Sequence, residues 1–391
     1  MSRRTTAIAA ALSVLALGSP LITGCRAQSN VAGEVSNIAA DSNSDDILAI
    51  KDEIAELSMS IETNPQDANA YNDRGVAKFK LKDIQGSILD FNRAIEINPN
   101  YSAFYSNRGN AKLELNDIQG AVSDYSIAIE INPNNANALY NRGNAKFKIK
   151  DAEGAISDLS NAIAINPQFA AAYVNLASAK LEFKNDPQGA IVDFNKALLL
   201  DPNNAYAYNN RGFAKHKLND LQGAILDYNK SIDIDPHDSD NYFKRGNAKL
   251  ALKDNKGSIV DYSNAIKIDS SSPDYYSNRG VAKSELGDYQ GAIVDYNKAL
   301  EINPQYAYAY DNRGVAKVYL GDYQGAIADS NNAIAINPQF APAYSTRANA
   351  KIGLKDSHGA CADFKKAVSL DHKATIQYLS SENGSWCRNM R

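Results

Sequence analysis

Three cysteines and four histidines are the residues of this 391-residue chain best suited to nucleophilic, redox or metal chemistry, and their spacing decides what they can do. His216, His237, His358 and His372 are scattered, and no two stand at metal-ligand spacing on one helix, so no metal centre is expected. Asp and Glu total 45, ample for general acid–base work, yet they recur with a fixed period, whereas an active site is built once. None breaks that period as a catalytic pair would. No G-x-S-x-G, H-E-x-x-H, Walker A, G-x-G-x-x-G or paired C-x-x-C occurs. The expectation is a chain with no catalytic residue, no metal and no cofactor.

The first cysteine is different in kind. A short basic start, Met1–Arg4, precedes an apolar run, Ala7–Leu17, that is too short to span a bilayer comfortably. The stretch ends in Leu21-Ile22-Thr23-Gly24-Cys25. An apolar residue, two small residues and then Cys resemble the lipobox of bacterial lipoprotein signal peptides. The resemblance implies cleavage before Cys25 and lipid attachment to its thiol. The other reading is a secretory signal with an incidental Cys near its end. Residues 1–24 are thus expected to be a signal peptide, and residues 25–45, rich in Ser, Asn, Ala and Asp, a flexible tether. A membrane-anchored protein of the cell envelope follows.

Lys plus Arg number 41, giving a net charge of −4. Without Arg3 and Arg4 the remainder carries 39 basic and 45 acidic groups, a net −6, which makes nucleic acid an unsuitable partner. The 44% hydrophobic and 22% charged content fits a folded chain. Tyr numbers 22 and Phe 11 against a single Trp, a bias that suggests one motif copied many times. That motif is N-R-G-x-A-K. Its arginines are Arg74, Arg108, Arg142, Arg211, Arg245, Arg279, Arg313 and Arg347, spaced by 34 except for one gap of 69. The gap holds a degenerate copy, Asn175–Lys180, followed by one inserted residue.

A period of 34 residues with this pattern resembles the tetratricopeptide repeat. In the first copy Tyr71 stands at the family's Trp position, Gly75 at its Gly, and Ser87 at the small position. Phe91, Ala94 and Pro99 fill the last three marks. Arg replaces the usual Leu at position 7 and Lys the usual Tyr at position 11. The resemblance implies an all-α, right-handed superhelical solenoid of nine tandem helix-turn-helix repeats, 68–101, 102–135, 136–169, 170–204, 205–238, 239–272, 273–306, 307–340 and 341–374. The stripe Ile47, Ile50, Ile54, Leu57 and Ile61 predicts an N-terminal capping helix within 46–67, and 375–391 a C-terminal cap and tail. The insertion beside Pro187 and the displaced Pro273 predict bends.

Most repeat columns have a physical reading. Tyr, Gly and Lys at i, i+4 and i+7 share one face of helix A, and Gly at position 8 lets helix B approach. Asp83, Asp117 and Asp151 are N-caps of helix B, and Asn-Pro or Asp-Pro ends it. Arg at position 7, Lys at 11 and Asp at 23 must be paired if they lie on a packed face, which predicts an ion-pair ladder. A basic stripe for polyanions is the rival. Cys361 fills a helix B column that is Ile or Val in every other copy, as a small buried hydrophobe would. Alternatively it pairs with Cys387, behind Trp386, and pins the tail.

By resemblance, the concave groove is lined by positions 2, 5, 9, 12 and 13 of helix A. No Lys stands at positions 2 or 5, so a clamp for a partner's C-terminal carboxylate is unsupported. Copies three to six are rich in large side chains there: Tyr140, Phe147, Leu181, Tyr206, Phe213, His216 and Phe243. Asn144 and Asn247 stand at position 9, where relatives use Asn to hold a peptide backbone. These nine residues are the expected binding site for a partner protein's helix or extended peptide. The functional expectation is a non-catalytic, lipid-anchored scaffold, alternatively an assembly chaperone for membrane complexes of secretin, pilus or photosystem type.

Overall fold

In the computed structural model, residues 44–388 are described, all in helices and short connections. The expected signal peptide, Cys25 and nearly all of the tether lie outside the described residues. The chain forms two compact units that meet in sequence between Leu218 and Asn219. The first holds the N-terminal cap, repeats 1–4 and helix A of repeat 5. The second holds helix B of repeat 5, repeats 6–9 and the C-terminal cap.

The N-terminal cap runs over Ser44–Thr63, starting two residues before the expected Asp46. Ile61 is buried, Ile50, Ile54 and Leu57 are half-buried, and Ile47 is exposed. Each repeat is then a pair, as in Ala68–Lys80 and Ile84–Ile97 of repeat 1. All nine B helices carry an Asp N-cap whose side chain accepts a bond from the backbone N–H of the Gly three residues on, from Asp83 with Gly86 to Asp356 with Gly359. Position 8 behaves as expected. A Cβ on Gly75 would stand 2.7 Å from the Phe91 ring, and one on Gly280 2.7 Å from Tyr296. Those rings at position 24 are the most deeply buried large side chains.

The two irregular joints are absorbed locally. The insertion in repeat 4 lengthens helix A to Ala170–Lys184, which Asn185 ends in the left-handed conformation at φ 48°. Repeat 4 packs on repeat 3 and on helix A of repeat 5 much as the other copies pack on theirs. Pro273 sits in the first turn of helix A of repeat 7, where its missing N–H is harmless.

The ion-pair ladder is present. Arg108 Nε and Nη2 bind the two oxygens of Asp124 at 2.9 and 2.7 Å, and Lys112 Nζ lies 2.8 Å from the same carboxylate. Equivalent triads join Arg74, Lys78 and Asp90, Arg142, Lys146 and Asp158, and Arg245, Lys249 and Asp261. They continue through repeats 7, 8 and 9 at Asp295, Asp329 and Asp363. These carboxylates are buried and each faces two cations, so the columns hold each helix pair together rather than offering a free basic stripe.

The C-terminal cap comprises Lys373–Ser380, a 3₁₀ turn over Glu382–Gly384 and a last turn at Ser385–Arg388. Tyr378, Leu379 and Cys387 are buried against Phe364 and Ala348 of repeat 9, with Ile352 and Trp386 flanking them. Cys361 and Cys387 are joined by a disulfide.

Candidate partner-binding face

Helix A of each repeat places the expected groove residues, and in the first unit it buries most of them against the next copy. Tyr140 packs on Phe169 with ring centroids 4.7 Å apart, and its hydroxyl accepts a bond from Asn175 Nδ2. Burial raises its pKa. Phe147 packs on Phe183 at 4.8 Å. Leu181 and Phe213 are buried as well, with Lys217 Nζ lying 5.7 Å from the Phe213 ring centroid. Tyr206 and His216 stay half-exposed, and partial burial lowers the pKa of His216.

The second unit treats Phe243 and Asn247 in the same way. Phe243 sits between Tyr262 and Tyr275, at 5.9 and 4.9 Å between centroids. Asn247 Oδ1 accepts bonds from the Tyr262 hydroxyl at 2.8 Å and from Asn278 Nδ2 at 3.1 Å. Asn144 Oδ1 likewise accepts from Asn175 Nδ2 at 2.7 Å. Tyr140, Asn144, Phe147, Phe243 and Asn247 are therefore engaged in packing between copies, and Leu181 and Phe213 are buried, which corrects their reading as open anchors for a partner. The physical reason is that helix A has two buried faces. Tyr, Gly and Lys face its own helix B, and positions 5, 6, 9 and 12 face the neighbouring copies.

Sequence reasoning missed the amide ladder that lies on this second face. Position 6 is Asn in most copies, and its Nδ2 reaches back to position 9 of the copy before, as Asn141 does to Asn110 at 3.0 Å. Recurrence of Asn in both columns was the available signal. It also missed the third arm of each arginine. Nη1 of Arg142 donates to Ser126 at 3.1 Å, and that of Arg313 to Asn297 at 2.6 Å, both at position 25 of the preceding copy. In the first copy the capping helix supplies the same acceptor, Ser58 at 3.1 Å from Arg74 Nη1.

Where the first unit begins, this face is more open. Asn72, Val76, Ser106 and Asn110, at positions 5 and 9 of repeats 1 and 2, are half-exposed. A cavity of about 390 Å³ lies between the capping helix and repeat 1, lined by Glu53, Glu56, Leu57, Ser60, Asp73 and Val76. Two apolar side chains among three carboxylates suit a partner segment that is amphipathic and basic. Among the described residues, no group of three His, Cys, Asp or Glu is placed to hold a metal ion.

Three family models described as tetratricopeptide or TPR repeats match the chain. One covers residues 68–101, 205–238 and 273–306, another 109–150, 184–219 and 246–287, and the third 136–169, 307–340 and 341–373. No curated protein matches by sequence. Among solved structures, a tetratricopeptide repeat protein from Parabacteroides merdae is 20% identical, with a TM-score of 0.51 over 63% of this chain and 97% of that one. The hetero-tetramer of the anaphase-promoting complex subunits Cut9 and Hcn1 gives 17% identity and a TM-score of 0.50, over 76% of this chain and 58% of that one. MamA protein gives 27% identity and a TM-score of 0.40, over 44% of this chain and 94% of that one. Two of the three models fall on the 34-residue frame of the helix pairs, and the chain belongs to the tetratricopeptide repeat family.

Proposed function

We propose that this chain is a non-catalytic scaffold that holds partner proteins on the helix A face of its repeats and is tied to a bacterial membrane through lipid on Cys25. Tetratricopeptide repeat proteins are in general protein-interaction scaffolds. The observation that carries the reading is the column pattern: seven repeats spend Arg at position 7, Lys at 11 and Asp at 23 on one internal ladder, while groove positions such as position 5 differ from copy to copy. Groove positions that differ from copy to copy suit recognition of an irregular partner. The accessible part of that face, around Val76, Asn72 and the adjoining cavity, together with half-exposed Tyr206 and His216, is where a docked segment finds free area.

Anchoring rests on the Leu21–Cys25 motif. Among the described residues no helix is long and apolar enough to cross a membrane. Two experiments test the proposal. Metabolic labelling with a palmitate analogue should mark the wild-type chain and leave Cys25→Ser unlabelled and released from the membrane fraction. Label retained by Cys25→Ser would end the anchoring. Crosslinking in native envelopes should capture partners that Val76→Arg loses while keeping wild-type helical content. Capture that survives Val76→Arg and the pair Tyr206→Ala, His216→Ala, but fails when the helix B surface is changed, would put the binding face on the outer helices.

A further inference from the structure

Asp311 breaks its column. It stands at position 5 of repeat 8, in the helix Ala307–Leu320, where the other copies have Asn72, Ser106, Tyr140, Val174, Asn209, Phe243, Ser277 and Ser345, all uncharged. It is 1% exposed. Among the described residues its Oδ1 has no hydrogen-bond partner, and the side chain that steadies the carboxyl by hydrogen bonding is Thr346 of the next copy.

A buried carboxylate normally has a cation, and every cation on the surrounding helices is already taken. Arg279 and Lys283 of helix A in repeat 7 hold Asp295, and Lys298 of helix B pairs with Glu301. Arg313 and Lys317, on the same helix as Asp311, hold Asp329 of helix B in repeat 8. Arg347 and Lys351 of helix A in repeat 9 hold Asp363. The other titratable neighbours do not help. Tyr296, from helix B of repeat 7, is buried, and the negative charge of Asp311 adds to the forces keeping its hydroxyl protonated. Glu285, at the end of helix A of repeat 7, is itself acidic and lies 3.6 Å from Lys253. Ser277, Asn278, Ser345 and Asn349 are neutral. With desolvation opposed only by the Thr346 hydrogen bond and by no cation, the Asp311 carboxyl is pushed up to about 7.

The location gives that proton a mechanical consequence. The backbones of helix A of repeat 8 and helix A of repeat 9 (Ala341–Gly353) approach each other more closely than those of the other neighbouring A helices within either unit. A Cβ on Gly314 would stand 3.3 Å from the Thr346 methyl group, so there is little slack in this contact. Ser345, beside Thr346, accepts a bond from Thr375 of the C-terminal cap at 3.1 Å, and Thr375 in turn meets His372 Nδ1 at 2.6 Å. The Asp311 joint and the cap thus meet at adjacent residues of one helix, Thr346 and Ser345.

We propose that Asp311 makes the contact between repeats 8 and 9 a proton-operated joint: the neutral acid holds the two A helices together, and loss of its proton loosens them and the cap beyond. A charged Asp311 needs water, and water reaches it only if the two helices part. The joint therefore tightens in acidic surroundings and relaxes in mildly alkaline ones, the opposite of the usual behaviour of a paired carboxylate.

Amide hydrogen exchange over residues 307–320 and 341–353 tests this, taken between about pH 5.5 and about pH 8.5 and corrected for the intrinsic exchange rate. Protection in the wild type should fall by about tenfold or more on raising the pH, while that of repeats 6 and 7 stays level. Asp311→Asn, neutral and the same shape, should remove the dependence, as should Asp311→Ser, which installs the residue found at this position in repeats 7 and 9. Flat protection in the wild type, or the same fall in a folded variant, would overturn the proposal. Should neither variant fold, the carboxyl carbon of Asp311 decides by NMR, and a titration midpoint below about 5 would overturn it.

Discussion

Arg108 reaches back sixteen residues to Asn92, its Nη1 donating to Oδ1 at 2.8 Å, while its other two nitrogens grip Asp124 sixteen residues ahead. One planar side chain thereby closes its own helix pair and fastens it to the copy before. Its guanidinium carbon also lies 5.5 Å from the centre of the Tyr105 ring.

Removing this group should be costly. Arg108→Ala leaves Asp124 buried with Lys112 as its one cation, and a loss of about 3 kcal/mol is expected in urea denaturation. Arg108→Lys should recover little of it, because an ammonium cannot bind both carboxylate oxygens, meet Asn92 and cover Tyr105 together. Equal stability of the Lys variant and the wild type would show that charge alone suffices.

Gly280→Ala should destabilise by about 1–3 kcal/mol, since the new methyl group would stand 2.7 Å from Tyr296, whose hydroxyl is held near Ser284. Gly287→Ala is the control. Its φ of +82° disfavours a Cβ, but nothing lies within 4 Å, so a loss of about 1 kcal/mol is expected. A loss at Gly280 no larger than about 1 kcal/mol, the figure for the uncrowded Gly287, would contradict close packing of helix B as the reason for Gly at position 8.

Reduction of the Cys361–Cys387 disulfide should loosen the C-terminal cap by roughly 3 kcal/mol. Trp386 is the only Trp of the chain and packs on Phe364, so its emission should shift to the red on reduction, while circular dichroism changes little. Emission indifferent to reductant would mean the cap is held by Tyr378 and Leu379 alone.

Burial lowers the pKa of both His216 and His372. A histidine with a depressed folded pKa binds fewer protons folded than unfolded. Its contribution is whole above the unfolded value of about 6.5 and is lost as the pH falls below it. Thermal midpoints of the wild type should therefore drop on acidification below about pH 6.5, and His372→Gln should flatten part of that limb. A drop unchanged in the double variant His216→Gln, His372→Gln would assign it to carboxylates.

The helix pairs, their caps and the ion-pair ladder were legible because each is written in one column and copied. Asp at position 23 cannot sit on a packed face without a cation, which positions 7 and 11 supply in most copies and Lys180 alone supplies to Asp193. The groove was legible only as a set of positions. Whether Phe147 faces solvent or Phe183 depends on how closely the next copy approaches, and that distance is not encoded in any one repeat. Asn175 illustrates the same limit: its column is plain, but its partners, Tyr140 and Asn144, lie in the copy before. Asp311 is an exception in an otherwise uncharged column that the sequence reading passed over, and burial gives the exception meaning.

The backward reach of the arginines also governs how such a chain can change in length. Arg142, Arg279, Arg313 and Arg347 each find Ser or Asn waiting at the same offset, and Arg74 finds Ser58 outside the array. Excise one or more whole 34-residue blocks from the regular copies on either side of repeat 4 and the guanidinium after the splice meets an equivalent acceptor, whereas a deletion out of step with that period strands it. Unequal recombination at the gene can thus add or drop copies in whole steps, with no second mutation required to heal the seam.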